Sequence, residues 1–399
     1  MSTRGTRNDG AGWVVVGAAF GLMFVGFASA YSFAAFFTAF QAEFGASRGD
    51  VALVFSVAAF LWFLLGAPGG MAADRFGARR VAGAGVASLV LALWLASRAQ
   101  SLEALYATYS IGIGLGVGLV YVPSVGAVQP WFAANRALAS GIAIAGIGAG
   151  NIAGPLLAAW WIEAFGWRGA YVALSLFVLI VGGLAAGLLH EKQGSSLQRQ
   201  EGVTLSTALR TRAFWLLFAS LVASCVGLFV PMVHLGPYAQ DAGYSEAQGV
   251  TLVSLIGLGS LLGRFAIGPF ADRLGRQLSL AAMYAGLGAM LLVWWAASAW
   301  WLLALFAVAF GMFYGAYVAL LPTIVMDLYG ARAVSGIIGC LYTGAGVGTL
   351  VGPWLAGLAY DAFGVYDLPI AAGALFSLLA AGCVAMLIHG EKEPLPGRR

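Results

Sequence analysis

Arg264 offers the most chemistry of any residue in this chain, because of where it lies. The stretch from Gly249 to Ala271 is otherwise uncharged, and of the 20 Lys and Arg residues only Arg264 falls deep inside an apolar run. A cation at the centre of a bilayer costs about 2.5–3.5 kcal/mol even on lenient insertion scales, so it normally faces a cavity and has a partner. The guanidinium fork fits a carboxylate through two parallel hydrogen bonds. No Asp or Glu lies inside any apolar run; Asp327, at the end of one and near Arg332, comes closest. The expected partner is therefore an anionic substrate. The alternative is a structural arginine bonded to backbone carbonyls and water.

Other candidates surround it. Helical spacing puts Val253, Gly257, Ser260, Arg264 and Gly268 on one small, polar-tolerant stripe. Tyr121, Tyr314 and Tyr317 are hydroxyls in mid-run, and read as core residues or as donors to a carboxylate. Asn151 and Thr349, 198 positions apart, read as interhelical hydrogen bonds or as ligands. His234, in Pro231-Met-Val-His-Leu-Gly-Pro-Tyr238, is the one histidine well inside an apolar run. Imidazole titrates near pH ~6.5, so it reads equally as a proton carrier or as a satisfied core histidine. Cys225, Cys340 and Cys383 are far apart and have no metal or redox spacing. With no paired carboxylates and no Ser–His–Asp set, neither catalytic residues nor a metal or cofactor is expected, and the chain does not read as an enzyme.

The elements that must position these residues follow from composition. The chain has 399 residues, of which 61% are hydrophobic and 9% charged, with a mean hydropathy of +0.90. That is too little polar surface for a soluble protein, and about 20 apolar residues span a bilayer as a helix. Alternating strand patterns are absent, which argues against a barrel. The pattern predicts an all-α membrane protein of twelve spans, near 12–40, 50–72, 80–98, 102–129, 135–161, 167–189, 212–239, 246–271, 277–297, 299–325, 333–359 and 365–389. The first run is too long for a signal-peptide core.

Charge fixes the expected orientation. With both termini cytoplasmic, the inner segments hold 16 basic residues and the outer loops hold three, Arg48, Arg98 and Arg168. That asymmetry is a strong positive-inside signal. The net charge of +4 therefore reads as topology and not as nucleic-acid binding.

The halves repeat at an offset of 198: Asp74-Arg75-Phe76-Gly77 falls on Asp272-Arg273-Leu274-Gly275, and Gly154-Pro155 on Gly352-Pro353. Between them a polar stretch rich in Gln, Ser and Arg reads as a cytoplasmic linker. The expected organisation is a bundle over 1–190, a linker over 191–211 and a second bundle over 212–399. Glycines every four residues, Gly146, Gly150 and Gly154 and then Gly344, Gly348 and Gly352, predict smooth helix faces that approach closely.

Two parallel six-helix repeats joined by a linker resemble the major facilitator superfamily, in which the halves rock around a site near the midplane. The segment Gly70-Met-Ala-Ala-Asp74-Arg75-Phe-Gly77-Ala-Arg79-Arg80 and its weaker copy around Asp272, Arg273, Gly275 and Arg276 are similar to that family's loop motif. The resemblance implies that these residues latch neighbouring helices on the cytoplasmic face.

Asp9-Gly-Ala-Gly-Trp13 and the stretch from Trp131 to Gly146 resemble signatures of the monocarboxylate porters and their bacterial relatives, among them an oxalate–formate exchanger. In that branch an arginine on the eighth helix binds the substrate carboxylate, and Arg264 matches it; the helix 7 histidine matches His234. The mammalian members' aspartate one turn before the arginine is here Ser260, and their helix 1 lysine is missing. From Ala333 to Tyr360 there is no Lys or Arg to match the oxalate exchanger's second cation. One cation suits one carboxylate, because a dicarboxylate would bury an unpaired charge.

The function expected from all this is secondary transport of small organic monocarboxylates of the lactate or pyruvate type, with proton coupling. An oxalate–formate type exchanger and an efflux carrier for hydrophobic metabolites or drugs are the alternatives. The expected partners are a small organic anion, a proton and the lipid of a plasma (bacterial inner) membrane, with no nucleic acid and the protein acting as a monomer.

Overall fold

In a bilayer only a helix satisfies every backbone N–H and C=O within its own segment, so apolar runs of this length must coil. The computed structural model describes residues 6–132, 136–190, 202–330 and 332–390. Arg4, Lys192, Arg199, Lys392, Arg398, Arg399 and the first half of the expected linker lie outside the described residues, as do positions 133–135 of the Trp131–Gly146 stretch.

The first span is α1 (Thr6–Tyr31) followed by α2 (Phe33–Phe44). Two serines back-bond at the junction. Ser29 Oγ donates to the Val25 carbonyl at 2.7 Å and Ser32 Oγ to the Ser29 carbonyl at 2.8 Å, a back-bonding that competes with the helix ladder. The Tyr109 hydroxyl lies within hydrogen-bond distance of the Ser29 and Ala30 carbonyls, at 3.2 and 3.1 Å.

Next come α3 (Arg48–Phe76) and α4 (Ala78–Ala96). The fourth span is not one regular helix, as expected, but α5 (Leu102–Leu105), a π-turn over Tyr106–Ser110 and α6 (Ile111–Val128). Then α7 runs over Arg136–Leu188. Its apolar stretch of 51 residues would measure about 77 Å if straight, against a hydrocarbon core of about 30 Å. It folds back at Gly166, whose φ of +67° suits only glycine. The two arms are the fifth and sixth spans, so the eleven membrane-length helices among the described residues make twelve crossings.

The remaining elements are α8 (Leu205–Ala208), α9 (Arg212–Asp241), α10 (Glu246–Leu274), α11 (Arg276–Ala296), α12 (Trp300–Tyr329), α13 (Val334–Phe363) and α14 (Asp367–Gly390). The second half of the expected linker is ordered against the C-terminal helices. Gly202 bridges Gly330 in antiparallel fashion, Val203 N–H donates to the Tyr329 carbonyl at 2.9 Å, and Thr211 and Tyr329 hydroxyls lie 2.9 Å apart.

The repeat reappears as local geometry. Ser47 caps α3 and Ser245 caps α10, the latter with a reciprocal capping box to Gln248. Gly77 and Gly275, at φ +93° and +82°, end the same two helices.

Packing is chiefly within each half: α1 and α4 against α7, α6 against α3 and α4, and α9 and α11 against α14 with α10 against α12. The halves meet along two seams, α3 with α13 and the first arm of α7 with α10. Within each half, glycines let helix pairs meet backbone to backbone. Side chains at Gly146, Gly150 and Gly154 would strike α1 at Phe20, Phe24 and Ala28; at Gly348 and Gly352 they would strike α9 at Val222 and Val226.

Candidate functional site

The face of α10 is divided between two neighbours, and this division aims Arg264. Ser254, Gly257 and Leu261 follow at three- to four-residue spacing towards α7: a Cβ on Gly257 would lie 2.8 Å from Ile152 N, and one on Gly148 3.2 Å from Leu261. Gly259 and Gly263 press on the α12 carbonyls of Val308 and Met312, while Gly311 and Gly315 press back on Ile256 and Ser260. Arg264 lies between the two contacts and lines a central cavity.

That cavity draws on both halves. Phe27 and Tyr31 come from α1, Trp62, Phe63 and Gly66 from α3, Tyr121 from α6 and Ile147 from α7. Phe229, Tyr314, Tyr317, Tyr342 and Ala345 come from α9, α12 and α13. Arg264 is the charged member of the lining; no carboxylate joins it. Its Nε and Nη2, which form one edge of the guanidinium, are buried and have no protein hydrogen-bond partner. Tyr31 and Tyr314 reach across the halves, with hydroxyls 3.2 Å apart. Among the described residues no cluster of His, Cys, Asp or Glu could hold a metal ion.

Of the residues singled out in the sequence, Arg264, Tyr121, Tyr314 and Tyr317 line this cavity. Ser260 does not: it packs against Gly315 of α12, 1% exposed, with Oγ unpartnered. Asn151 lies in the α7–α10 seam beside Gly257, also 1% exposed and with both amide atoms unpartnered. Thr349 back-bonds to the Ala345 carbonyl at 2.8 Å.

Sequence reasoning missed the aromatic members Phe27, Tyr31, Trp62, Phe63, Phe229 and Tyr342. The repeat carried a signal for some of them. Tyr31 and Phe229, Gly66 and Arg264, and Ile147 and Ala345 are three lining pairs, each 198 apart.

His234 stands elsewhere, near the Arg48 end. Its Nε2 faces the Pro353 carbonyl at 2.8 Å and its Nδ1 the Tyr366 hydroxyl at 3.1 Å. A carbonyl only accepts, so the proton sits on Nε2 and Nδ1 accepts from Tyr366. Arg48 Nη1 donates to the same Tyr366 oxygen at 2.8 Å. Burial raises the Tyr366 phenol well above its usual range, which keeps it a donor.

Arg48 is the centre of a seal between the halves. It forks onto Asp241 at 2.7 Å through both nitrogens and lies 3.8 Å over the Tyr360 ring. The backbone N–H groups of Arg48 and Gly49 donate to Asp361 at 2.9 and 2.8 Å, an anion at the start of a helix.

The other end of the molecule is looser. Two turns along the same faces from Gly148 and Leu261, at Gly141 and Gly268, a Cβ would meet nothing within 4 Å. Here lie the loop motifs. Asp74, Arg75, Arg79, Arg80, Asp272 and Arg273 are exposed and form no ion pair with another described residue. Gly70 packs on Val122. Arg276 pairs instead with Asp327, 2.6 Å from both oxygens; that acid is the one the sequence placed near Arg332.

A two-half helical membrane protein, closed at one end around a buried cationic cavity, belongs to the class of polytopic carriers. The match to the Major Facilitator Superfamily model covers residues 18–298 and 227–399. The chain belongs to that superfamily and to its monocarboxylate transporter branch, and it is a transporter and not an enzyme. It is 31% identical over 387 residues to monocarboxylate transporter 3 of Rattus norvegicus, covering 91% of this chain and 77% of that one. It is 28% identical over 396 residues to monocarboxylate transporter 13 of Bos taurus, covering 98% and 92%. Monocarboxylate transporter 12-B of Danio rerio is 28% identical over 398 residues, with 90% and 83% covered. Among solved structures, a bacterial homologue of the human lysosomal transporter Spinster, in an inward-facing and occupied conformation, shares the fold. Its TM-score is 0.71 at 17% identity, with 94% of this chain and 96% of that one covered.

Proposed function

We propose that this protein carries a small organic monocarboxylate across the membrane by alternating access, with the carboxylate on Arg264 and with proton coupling. The observation that carries the reading is the buried, unpartnered Nε–Nη2 edge of Arg264 in a cavity between the halves. Such an edge is the side-on fork for a carboxylate, and no acid in the lining competes for it. One cation disfavours oxalate-type dianions.

The moving parts are the bundles over 1–190 and 212–399, joined through 191–211. With 16 basic residues on the loop-motif side and three on the other, the motif side is cytoplasmic. The Arg48 seal is then the outer gate, and this conformation faces inward. A plasma membrane, the inner one in a bacterium, is the matching location, and a single chain holds the whole cavity.

His234 couples the proton to the gate. While Arg48 donates to Tyr366, a second proton on His234 Nδ1 would leave the Tyr366 hydroxyl accepting from two cations. Withdrawal of Arg48 frees that oxygen to accept from the imidazolium.

The test is uptake of labelled monocarboxylates (lactate, pyruvate, butyrate and benzoate) into proteoliposomes under an inward proton gradient. At least one should accumulate, oxalate should not, and Arg264→Gln should weaken apparent affinity on the order of a hundredfold, as expected for about 3 kcal/mol of charge-assisted hydrogen bonds. Uptake unchanged in Arg264→Gln removes the site assignment.

A further inference from the structure

The wall of the cavity restricts the anion more than its one charge does. Of the 17 lining residues nine are aromatic and one is charged. The hydroxyls of Tyr31 and Tyr314 already face each other at 3.2 Å, and Tyr317 OH faces the Cys225 thiol at 3.9 Å. Beyond the guanidinium edge, the polar groups left for a substrate are the hydroxyls of Tyr121 and Tyr342. A hydroxyl, amine or sugar turned instead towards the Phe27, Trp62 and Phe229 side of the cavity would be buried without a partner, which is costly in a desolvated site.

The aromatic side chains form one continuous surface. Trp62 meets Phe27 edge to face at 6.1 Å between centroids and Tyr31 at 6.4 Å, and is tilted against Phe63 at 5.8 Å and Phe229 at 6.5 Å. Phe63 in turn meets Phe229 at 6.2 Å and Tyr342 at 5.7 Å. These spacings are those at which a further flat ring joins by offset or edge-to-face contact. A three-carbon acid on Arg264 would leave most of this surface uncovered.

The repeat sharpens the division of labour. Position 62 in the first half corresponds to 260 in the second, and 66 to 264. Where the second half has Ser260 and Arg264, the first has Trp62 and Gly66. The first half thus supplies ring surface where the second supplies charge, with Gly66 leaving room between them.

We infer that the cavity takes an aryl monocarboxylate, a benzoate- or phenylacetate-type anion, in preference to lactate- or pyruvate-type acids: the carboxylate lies on Arg264 and the ring among Phe27, Trp62 and Phe229. This inference rests on the carboxylate reading of Arg264. It makes Trp62 a specificity-determining residue.

The experiment uses the purified full chain in detergent, with thermal shift and competition against labelled benzoate as readouts. The probes are benzoate, phenylacetate, neutral phenylacetamide, lactate and pyruvate. Benzoate or phenylacetate should bind at least about tenfold tighter than lactate, and phenylacetamide should lose most of that affinity. Trp62→Ala should weaken the aryl acids about tenfold more than it weakens lactate, and Trp62→Phe should restore much of the difference. A folding defect would weaken every probe together, so the split between aryl and aliphatic acids isolates the ring contact. Lactate binding as tightly as benzoate, or Trp62→Ala weakening both equally, overturns the inference while Arg264-dependent lactate binding leaves the monocarboxylate reading intact. If no carboxylate binds in an Arg264-dependent way, both fall.

Discussion

At the residue scale Arg264 is tolerable inside an apolar run because it faces a cavity, and the same isolation makes it stand out in a hydropathy reading. Which aromatic rings point at it depends on helix rotation, and 61% hydrophobic composition hides that. Ser260 illustrates the limit. Its spacing from Arg264 fits a shared stripe, yet the close approach of Gly311 and Gly315 turns it into the α12 contact. His234 was equally readable as core or as proton carrier, and the proposed proton route rests on its hydrogen bonds. With Nε2 fixed on Pro353 and Nδ1 on Tyr366, only Nδ1 is free to gain a proton, and only once Arg48 leaves. His234→Gln keeps polar contacts but cannot carry charge. It should therefore abolish uphill accumulation driven by a proton gradient while counterflow exchange of the same anion persists. Gradient-driven accumulation at wild-type level would remove His234 from the proton path.

At the element scale the spans themselves were plain, because hydrocarbon demands helices of a set length. Breaks within them were not. The π-turn at Tyr106–Ser110 carries tertiary hydrogen bonds from Tyr106 to the Asp50 carbonyl and from Ser110 to the Val54 carbonyl, and Ser29 and Ser32 back-bond within their own span; hydropathy announces neither. The glycine ladders were visible as periodicity, and the structure adds the partner of each. A Cβ on Gly263 would run into the Met312 backbone of α12, whereas one on Gly268, just over a turn further along α10, meets nothing within 4 Å. Backbone cannot yield as a side-chain tip can, so the two positions should respond oppositely. Gly263→Ala should destabilise by about 1–3 kcal/mol through overpacking; Gly268→Ala should be neutral or slightly stabilising from helix propensity. Thermal melting in detergent checks both, and equal melting temperatures for the two variants would contradict the packing account. Because Gly263 precedes Arg264, any residual transport by Gly263→Ala should also show a raised KM.

At the scale of the whole molecule the repeat predicts two similar halves, but not the state in which they rest. That state is set by the few contacts that cross between them, and these are unequal at the two ends. At the Arg48 end a side chain 12% exposed holds Asp241, Tyr360 and Tyr366 of the other half, while its own helix start holds Asp361. At the loop-motif end Asp74 and Asp272 pair with no described residue. An exposed ion pair alone contributes only about 0–1 kcal/mol. Arg48 is mostly covered and engages three partners at once, so its removal should move the balance between open and closed by about 1–3 kcal/mol, or some 5- to 150-fold. The shift can be read directly. Ala34 lies on α2 with its carbonyl beside Gly236 of α9 in the other half and is 8% exposed, so a cysteine there is shielded while the halves are closed at this end. In a background with Cys225, Cys340 and Cys383 replaced, Ala34→Cys should react slowly with a membrane-impermeant maleimide added from the Arg48 side. Adding Arg48→Gln should speed labelling at least about fivefold. The reversed pair Arg48→Asp with Asp241→Arg should recover only part of the protection, because it restores the ion pair but not the bonds to Tyr360 and Tyr366. Labelling that stays slow in Arg48→Gln would mean that the apolar seam of α3 and α13 closes this end without the clamp.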